Sequence, residues 1–204
     1  VLAGLLILLT LFILYPLLRV LVVAVSDGRG FTLRHLLNFF DRPLFREALL
    51  NSLASGGLAV LFGSLLGVPL AYFSVRYQFR GKLLLQTLGV LPLVIPPFVG
   101  AVALQLILGR SGMVNLLLLR WIGTGVPFME GLAGVILVQT LHYFPFIMLN
   151  TAVSLANIDP SLEEMAQNLG SHGWRLFRRV TLPLMLPGYV AGCLLTFIRV
   201  IDDL

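Results

Sequence analysis

The chain is predicted to be an all-α membrane protein, a multi-span helical bundle with about five spans. Composition and segment length carry that prediction. Hydrophobic residues make up 58% of the 204 and charged residues 11%, with a mean hydropathy of +0.99. A soluble domain carries about 25% charged residues, so this chain has too little polar surface to face water on all sides. Its apolar residues fall into segments of about 20 or more, each long enough to cross ~30 Å of hydrocarbon. Backbone groups cannot stay unpaired in lipid, which makes helices the economical solution. The alternating pattern of a transmembrane barrel is absent.

The segments run from Val1 to Val25, Ala48 to Val75, Leu83 to Leu108, Gly131 to Leu155, and from Leu184 to the end. The first exceeds the about 7–15 apolar residues of a signal-peptide core and lacks a small-residue cleavage pattern, so it reads as a true span. The chain starts inside that run at Val1 and stops at Leu204 without a polar tail. Residues 1–204 therefore read as a single transmembrane domain, with both ends truncated. Arg19 is expected near a membrane interface, its head snorkelling to the headgroups. Pro69, Pro92, Pro96, Pro97 and Pro145 interrupt apolar segments. Such breaks survive in lipid where neighbouring helices or a cavity satisfy the freed backbone, so the Leu91–Gly100 stretch fits either bundle packing or a moving gate. Ser52, Ser55, Gly56 and Gly57, then Gly63 and Gly67 at GxxxG spacing, allow close helix approach.

The net charge of +5 does not indicate nucleic acid, because the fourteen basic residues are scattered among hydrophobic runs. Connector 76–82 holds Arg76, Arg80 and Lys82 without an acid, and connector 156–183 holds Arg175, Arg178 and Arg179 on the same side by parity. The opposite connectors carry Arg29, Arg34, Arg42, Arg46, Arg110 and Arg120, so charge barely decides orientation. Cys193 lies in an apolar segment and has no second cysteine to pair with. His35, His142 and His172 lack Cys, Asp or Glu at ligand spacing, so no metal site is expected of this chain. Gly81-Lys82-Leu83 lacks the earlier glycine and the hydroxyl of a phosphate-binding loop, and no nucleophile elbow or HExxH is present.

The polar connector 156–183 is the most structured of the four. Asp159-Pro160 reads as an N-cap with proline at the first helical position. Glu163 and Glu164 then fall near the positive end of the helix dipole. Leu162, Met165, Ala166 and Leu169 share one face, and Gly170 suits a left-handed helix end. Ser171 is expected to cap a second, interfacial helix over 171–180, with Trp174 and Phe177 on one stripe and Arg175, Arg178 and Arg179 on another. An amphipathic helix with carboxylates beside an apolar row suits a groove in a partner, though a plain joining hairpin has the same local pattern.

The spacing Glu164, Ala166, Gly170, then Val180, Leu182 and Pro183 resembles the cytoplasmic loop of bacterial ABC importer permeases, E-A-A, three residues, G, nine residues, I-x-L-P. Met165 stands for the first alanine of that pattern and Val180 for the isoleucine. Asn51-Ser52, the Leu91-Pro92 to Pro96-Pro97 break and the Leu108–Gly112 turn are similar to the same family, so the resemblance covers nearly the whole chain. It is strongest to the ferric-iron, aminoethylphosphonate, thiamine and polyamine branch.

The resemblance implies a type I importer fold in a bacterial inner membrane, with connector 156–183 inside the cell. It implies partners: ABC ATPase subunits, a second permease half or subunit, and a periplasmic solute-binding protein. Glu163, Glu164, Ala166, Gly170, Leu182 and Pro183 would dock the ATPase and couple it to the spans. ATP would be used by that partner, with no cofactor held by this chain and no catalysis of its own. The cargo would be ferric iron, a phosphonate or another small solute.

Arg199 can reach Asp202 or Asp203 along a helix, and lies roughly 24 Å beyond Pro183, close to the far interface. A solvated helix end and a pathway role are both open for Arg199, Asp202 and Asp203. Gln105, Gln139 and Asn150 are equally pathway linings or interhelical hydrogen-bonding groups. An ion-gradient transporter and a non-transporting scaffold are the rival functions. The first normally needs ionisable groups at mid-membrane, and the central spans are nearly free of them.

Overall fold

A computed structural model of the chain describes residues 2–26 and 30–203; Val1, Arg29, Leu204 and the His35 side chain lie outside that description. Residues 1–50 and 51–204 form two compact units. The first contains α1 (Leu2–Leu9), a π turn (Thr10–Leu14), α2 (Tyr15–Ala24) and α3 (Arg34–Asp41), plus the start of α4 (Pro43–Arg76). Phe39 stacks on Phe45 at 5.3 Å, and Arg42 lies over the Phe45 ring. Arg19 is exposed within α2.

The second unit holds the rest of α4, then α5 (Lys82–Val94), α6 (Pro97–Leu108), α7 (Met113–Ile122), α8 (Gly131–Ala156), α9 (Pro160–Asn168), α10 (Gly173–Leu176), a second π turn (Phe177–Thr181) and α11 (Leu182–Asp202). The all-α bundle of about five spans stands. Among the described residues, four helical stretches are long and apolar enough to cross a membrane: Pro43–Arg76, Pro97–Ile122, Gly131–Ala156 and Gly173–Asp202. Thr10–Ala24 and Lys82–Val94 are shorter apolar helices.

Three local details differ from the expected segments, each with proline or glycine as its cause. The segment expected over Leu83–Leu108 is two helices. Ile95, preceding a proline, is extended (φ −82°, ψ 127°), and Pro97 restarts the chain as the first residue of α6. Connector 109–130 contains helix α7, reached through the tight Gly109–Gly112 turn. Finally, the expected interfacial helix over 171–180 is not separate from the last span. Helix runs on from Gly173 to Asp202, and His172, not Ser171, holds the N-terminal position without a side-chain cap.

Two π turns show how prolines are accommodated without a break. Thr10–Leu14 precedes Pro16, and Phe177–Thr181 precedes Pro183, each by two residues. Tyr15 N–H bonds back to Thr10 O and Leu182 N–H to Phe177 O, five residues away instead of four. The widened turn makes room where the proline ring would otherwise crowd the preceding carbonyl.

The core of the second unit is built on α8, gripped from two sides by small residues. On α4, a Cβ at Gly67 would sit 3.0 Å from Met148 N and Phe144 O. On α11, a Cβ at Gly192 would sit 2.8 Å from Ile147 Cα. The Gly63/Gly67 spacing does bring two helices together, and Gly188/Gly192 repeats the device on α11. Ile147, fully buried, lies against both faces. Ala71, Phe144, Met148, Leu155, Ile158 and Met185 continue the packing toward connector 156–183. Polar ties supplement it: Gln139 Nε2 donates to Val200 O at 3.3 Å, and Ser64 and Tyr189 hydroxyls meet at 3.0 Å. The outward faces are left as a coat of exposed Leu, Val, Ile and Phe suited to lipid.

Gly192→Val should lower stability by about 1–3 kcal/mol, because the methyls would meet backbone that cannot yield. Gly57, with nothing within 4 Å of its Cβ position, supplies the control. Gly57→Ala should be neutral or slightly stabilising. Unfolding in detergent micelles, followed by circular dichroism, reads both.

Candidate functional site

Connector 156–183 starts as expected. Asp159 accepts a hydrogen bond from Ser161 N–H at 2.9 Å, and Pro160 opens α9. That N–H holds the Asp159 carboxyl below the usual carboxylate range. The cap therefore contributes above the ordinary carboxylate pKa, and is lost as pH falls through the lowered folded value. The C-terminal end is closed by Gly170 at φ +85°. Gly170 N–H bonds to Gln167 O and Ser171 N–H to Ala166 O, both at 2.9 Å. These are the paired bonds of a Schellman ending, for which the left-handed glycine is the required residue.

The helix so bounded has two faces. Leu162, Met165 and Leu169 are exposed, Leu169 to 88%. Glu164 is also exposed, and Ala166 is half-buried. Glu163 is turned to a different task. Its Oε1 accepts from Arg76 Nη2 at 2.5 Å and from the Thr181 hydroxyl at 2.7 Å. The Arg76 and Glu163 side chains are only 21% and 15% exposed. Thus the last residue of α4, the first turn of α9 and the π turn before α11 meet at one carboxylate. Leu182 packs against the core cluster around Met148 and Met185, while Pro183 is exposed. Phe177 lies edge-on to Tyr72 at 5.5 Å, and the exposed Trp174 stacks on Phe177 at 5.3 Å.

The remaining candidates lie elsewhere in the second unit. Pro92 and Pro97 line an apolar cavity of about 260 Å³ with Gly100, Leu104 and His142; Pro96 sits in the break beside it. Arg199 and Asp202 form an exposed pair at 3.9 Å. Asp203 accepts from the buried Tyr143 hydroxyl, tying the end of α11 to α8. Asn150 bonds within its own helix, to Phe146 O. Gln105 lines a larger cavity of about 630 Å³ with Arg110 and Glu130, which pair with each other through two hydrogen bonds.

Several organising residues were not singled out from sequence. Asn115, 2% exposed, donates to Gly109 O and Val126 O and accepts from Val126 N–H, so it joins both loops flanking α7. Arg76 and Thr181 were present in the connectors, but nothing local in the sequence pairs either with Glu163. Gly188 and Gly192 were findable by the same GxxxG spacing that marks Gly63 and Gly67.

With the geometry described, comparison with known proteins is decisive at family level. Residues 59–204 match the family of binding-protein-dependent transport system inner membrane components. The chain belongs to that family. It is 37% identical over 157 residues to the molybdenum transport system permease protein ModB of Escherichia coli K12, covering 77% of this chain and 68% of that one. It is 27% identical over 193 residues to the putative ferric transport system permease protein FbpB 1 of Haemophilus influenzae, covering 94% of this chain and 30% of that one. A crystal structure of a bacterial ABC transporter that imports alginate has the same fold, with a TM-score of 0.78 over 98% of this chain and 72% of that chain, at 24% identity.

The permease is therefore a multi-pass inner-membrane protein of a binding-protein-dependent ABC importer, a transport component and not an enzyme by family. A periplasmic binding protein, an ATPase and a permease partner are typical of the family. A second alginate transporter structure contains an alginate-loaded periplasmic protein.

Replacing Asn115 by Leu should free the Val126 segment. Losing a buried hydrogen-bonding group costs about 1–3 kcal/mol, so amide exchange at Val126 should accelerate about tenfold or more. Unchanged exchange would show that the loop is held by other contacts.

Proposed function

We propose that this permease forms part of the translocation path of an ATP-driven importer and docks a separate ATPase subunit through α9 on the cytoplasmic side. One observation supports this most: an ordered helix, capped at both ends, leaves Leu162, Met165 and Leu169 exposed, with Glu164 exposed on the same short helix. An apolar row of that kind on a rigid helix is suited to insertion into a groove. Ala166 keeps the inward side of α9 slim, and Gly170 sets the angle at which the row is offered. Leu182 and Pro183 root the following span in the core and in its π turn. ATP hydrolysis is assigned to the partner, and no cofactor is assigned to this chain.

The Pro92–Pro97 break, with its cavity, is the proposed position for a gate. Arg199, Asp202 and Asp203 are proposed to stabilise the far end of α11 instead of lining the path, since one pair is solvent-exposed and Asp203 is held by Tyr143. For cargo, the 37% identity to a molybdenum permease against 27% to a ferric one makes a molybdenum oxyanion the first to test and ferric iron the second.

Leu169→Asp in the reconstituted full-length permease should weaken ATPase association about tenfold or more, as loss of a central apolar anchor does. Cargo-stimulated ATP hydrolysis should fall with it, while membrane insertion stays normal. Equal association and hydrolysis in mutant and wild type would remove α9 from the docking role and bring gradient-driven transport forward.

A further inference from the structure

We propose that Glu163 is a positioning residue that converts displacement of α9 into movement of two spans at once. The inference rests on α9 being the docking helix, and goes beyond that reading by assigning the internal linkage.

The geometry is specific. Arg76 is the last residue of the 34-residue helix α4. Thr181, 2% exposed, closes the π turn from which α11 continues. Glu163 lies in the first turn of α9, and its single oxygen Oε1 takes hydrogen bonds from both. The three residues stand 87 and 18 positions apart in sequence, so no local backbone feature explains the meeting. The apolar residues Leu162, Met165 and Leu169 of α9 are exposed, so its inward ties matter for holding it to the bundle.

A charge-assisted bond to Arg76 and a hydroxyl bond to Thr181 therefore supply directional ties between α9 and α4 and between α9 and α11. Partial burial matters here. An exposed pair would be screened and free to exchange partners, whereas this carboxylate is largely shielded from water. The same pair would let α9 slide if broken, without touching the outward row that meets the ATPase. Glu164, exposed and adjacent, does not share the arrangement. Neighbouring carboxylates thus divide the work: Glu164 faces the partner and Glu163 faces the spans.

The test uses the complete reconstituted importer, measuring ATPase association, ATP hydrolysis and cargo uptake in the same vesicles. Glu163→Ala should retain association and hydrolysis but lower cargo moved per ATP by about fivefold or more, the lower range of coupling between sites. The charge-reversed pair Arg76→Glu with Glu163→Arg should recover part of the lost ratio. Thr181→Val, which keeps the volume and removes one tie, should give a smaller loss in the same direction. It carries the test if Glu163→Ala does not insert.

An unchanged ratio in Glu163→Ala, or in Thr181→Val where that variant carries the test, would overturn the inference. Loss of ATPase association in parallel with transport would also overturn it, by making Glu163 a docking residue. Failure of the docking reading looks different: Leu169→Asp would then leave association intact, whatever Glu163→Ala does.

Discussion

The close approach of α4 and α11 to α8 is the constraint on which the second unit depends. Lipid offers no hydrophobic drive for helices to associate, because acyl chains are as apolar as leucine. Contact must come from surfaces that fit closely enough to gain dispersion and bring polar groups within reach. Gly67 on one side and Gly192 on the other do this by removing the side chain where the α8 backbone passes. Once the backbones are near, Ile147 fills the space between them, and Thr196 can donate to Tyr143 O while Gln139 reaches Val200 O. The hydrogen bonds follow from the packing; they would be out of range with larger residues at the crossing points.

That arrangement also decides what the polar connector can be. With α8 and α11 antiparallel and in contact, their ends at Ala156 and Thr181 are fixed, and the chain between them must turn within a short distance. Asp159 and Gly170 set where α9 starts and stops, and the π turn at Phe177–Thr181 lets the helix continue into α11 past Pro183 without a break. The core cluster around Met148, Leu155 and Met185 lies directly behind this turn. A helix held in that way is a poor candidate for independent flexing. Its movements are those its neighbours share.

The sequence disclosed the elements better than their meetings. Asp159-Pro160 and Gly170 were legible because capping is local chemistry, decided within three or four residues. The apolar segments were legible because lipid demands length. The breaks were legible in kind but not in outcome: proline at 96 ended a helix, while prolines at 16 and 183 were absorbed by widened turns, and one residue type does not distinguish these. A glycine pair was recognised on α4 and overlooked on α11, though the spacing is identical. Beyond the reach of pattern lay Tyr143 with Asp203, Asn115 with Val126, and Arg76 with Glu163, each joining positions whose proximity is a property of the folded bundle. For the connector, the motif resemblance pointed to the family that the comparisons show, but it did not separate the outward carboxylate from the inward one.

That separation bears on how a force would travel. The outward row of α9 is apolar and has only soft, non-directional contacts to offer, suited to gripping a partner in more than one state of its cycle. The inward side is fastened by a carboxylate whose bonds have direction and whose partners belong to different spans. Were the order reversed, a charged grip outside and a greasy contact inside, the partner would hold the helix firmly while the helix slipped against its own bundle. Under the proposed docking, the weaker joint would be at the interface between subunits, which must rearrange, and the stiffer joint within the permease, which must carry the motion. At the opposite end, the Arg110–Glu130 pair is exposed and screened by solvent, so the buried amide of Asn115 is the firmer tie between the loops there. The loops at that end depend on one neutral side chain, while the Asp203 carboxylate, accepting from the Tyr143 hydroxyl, ties the end of α11 to α8.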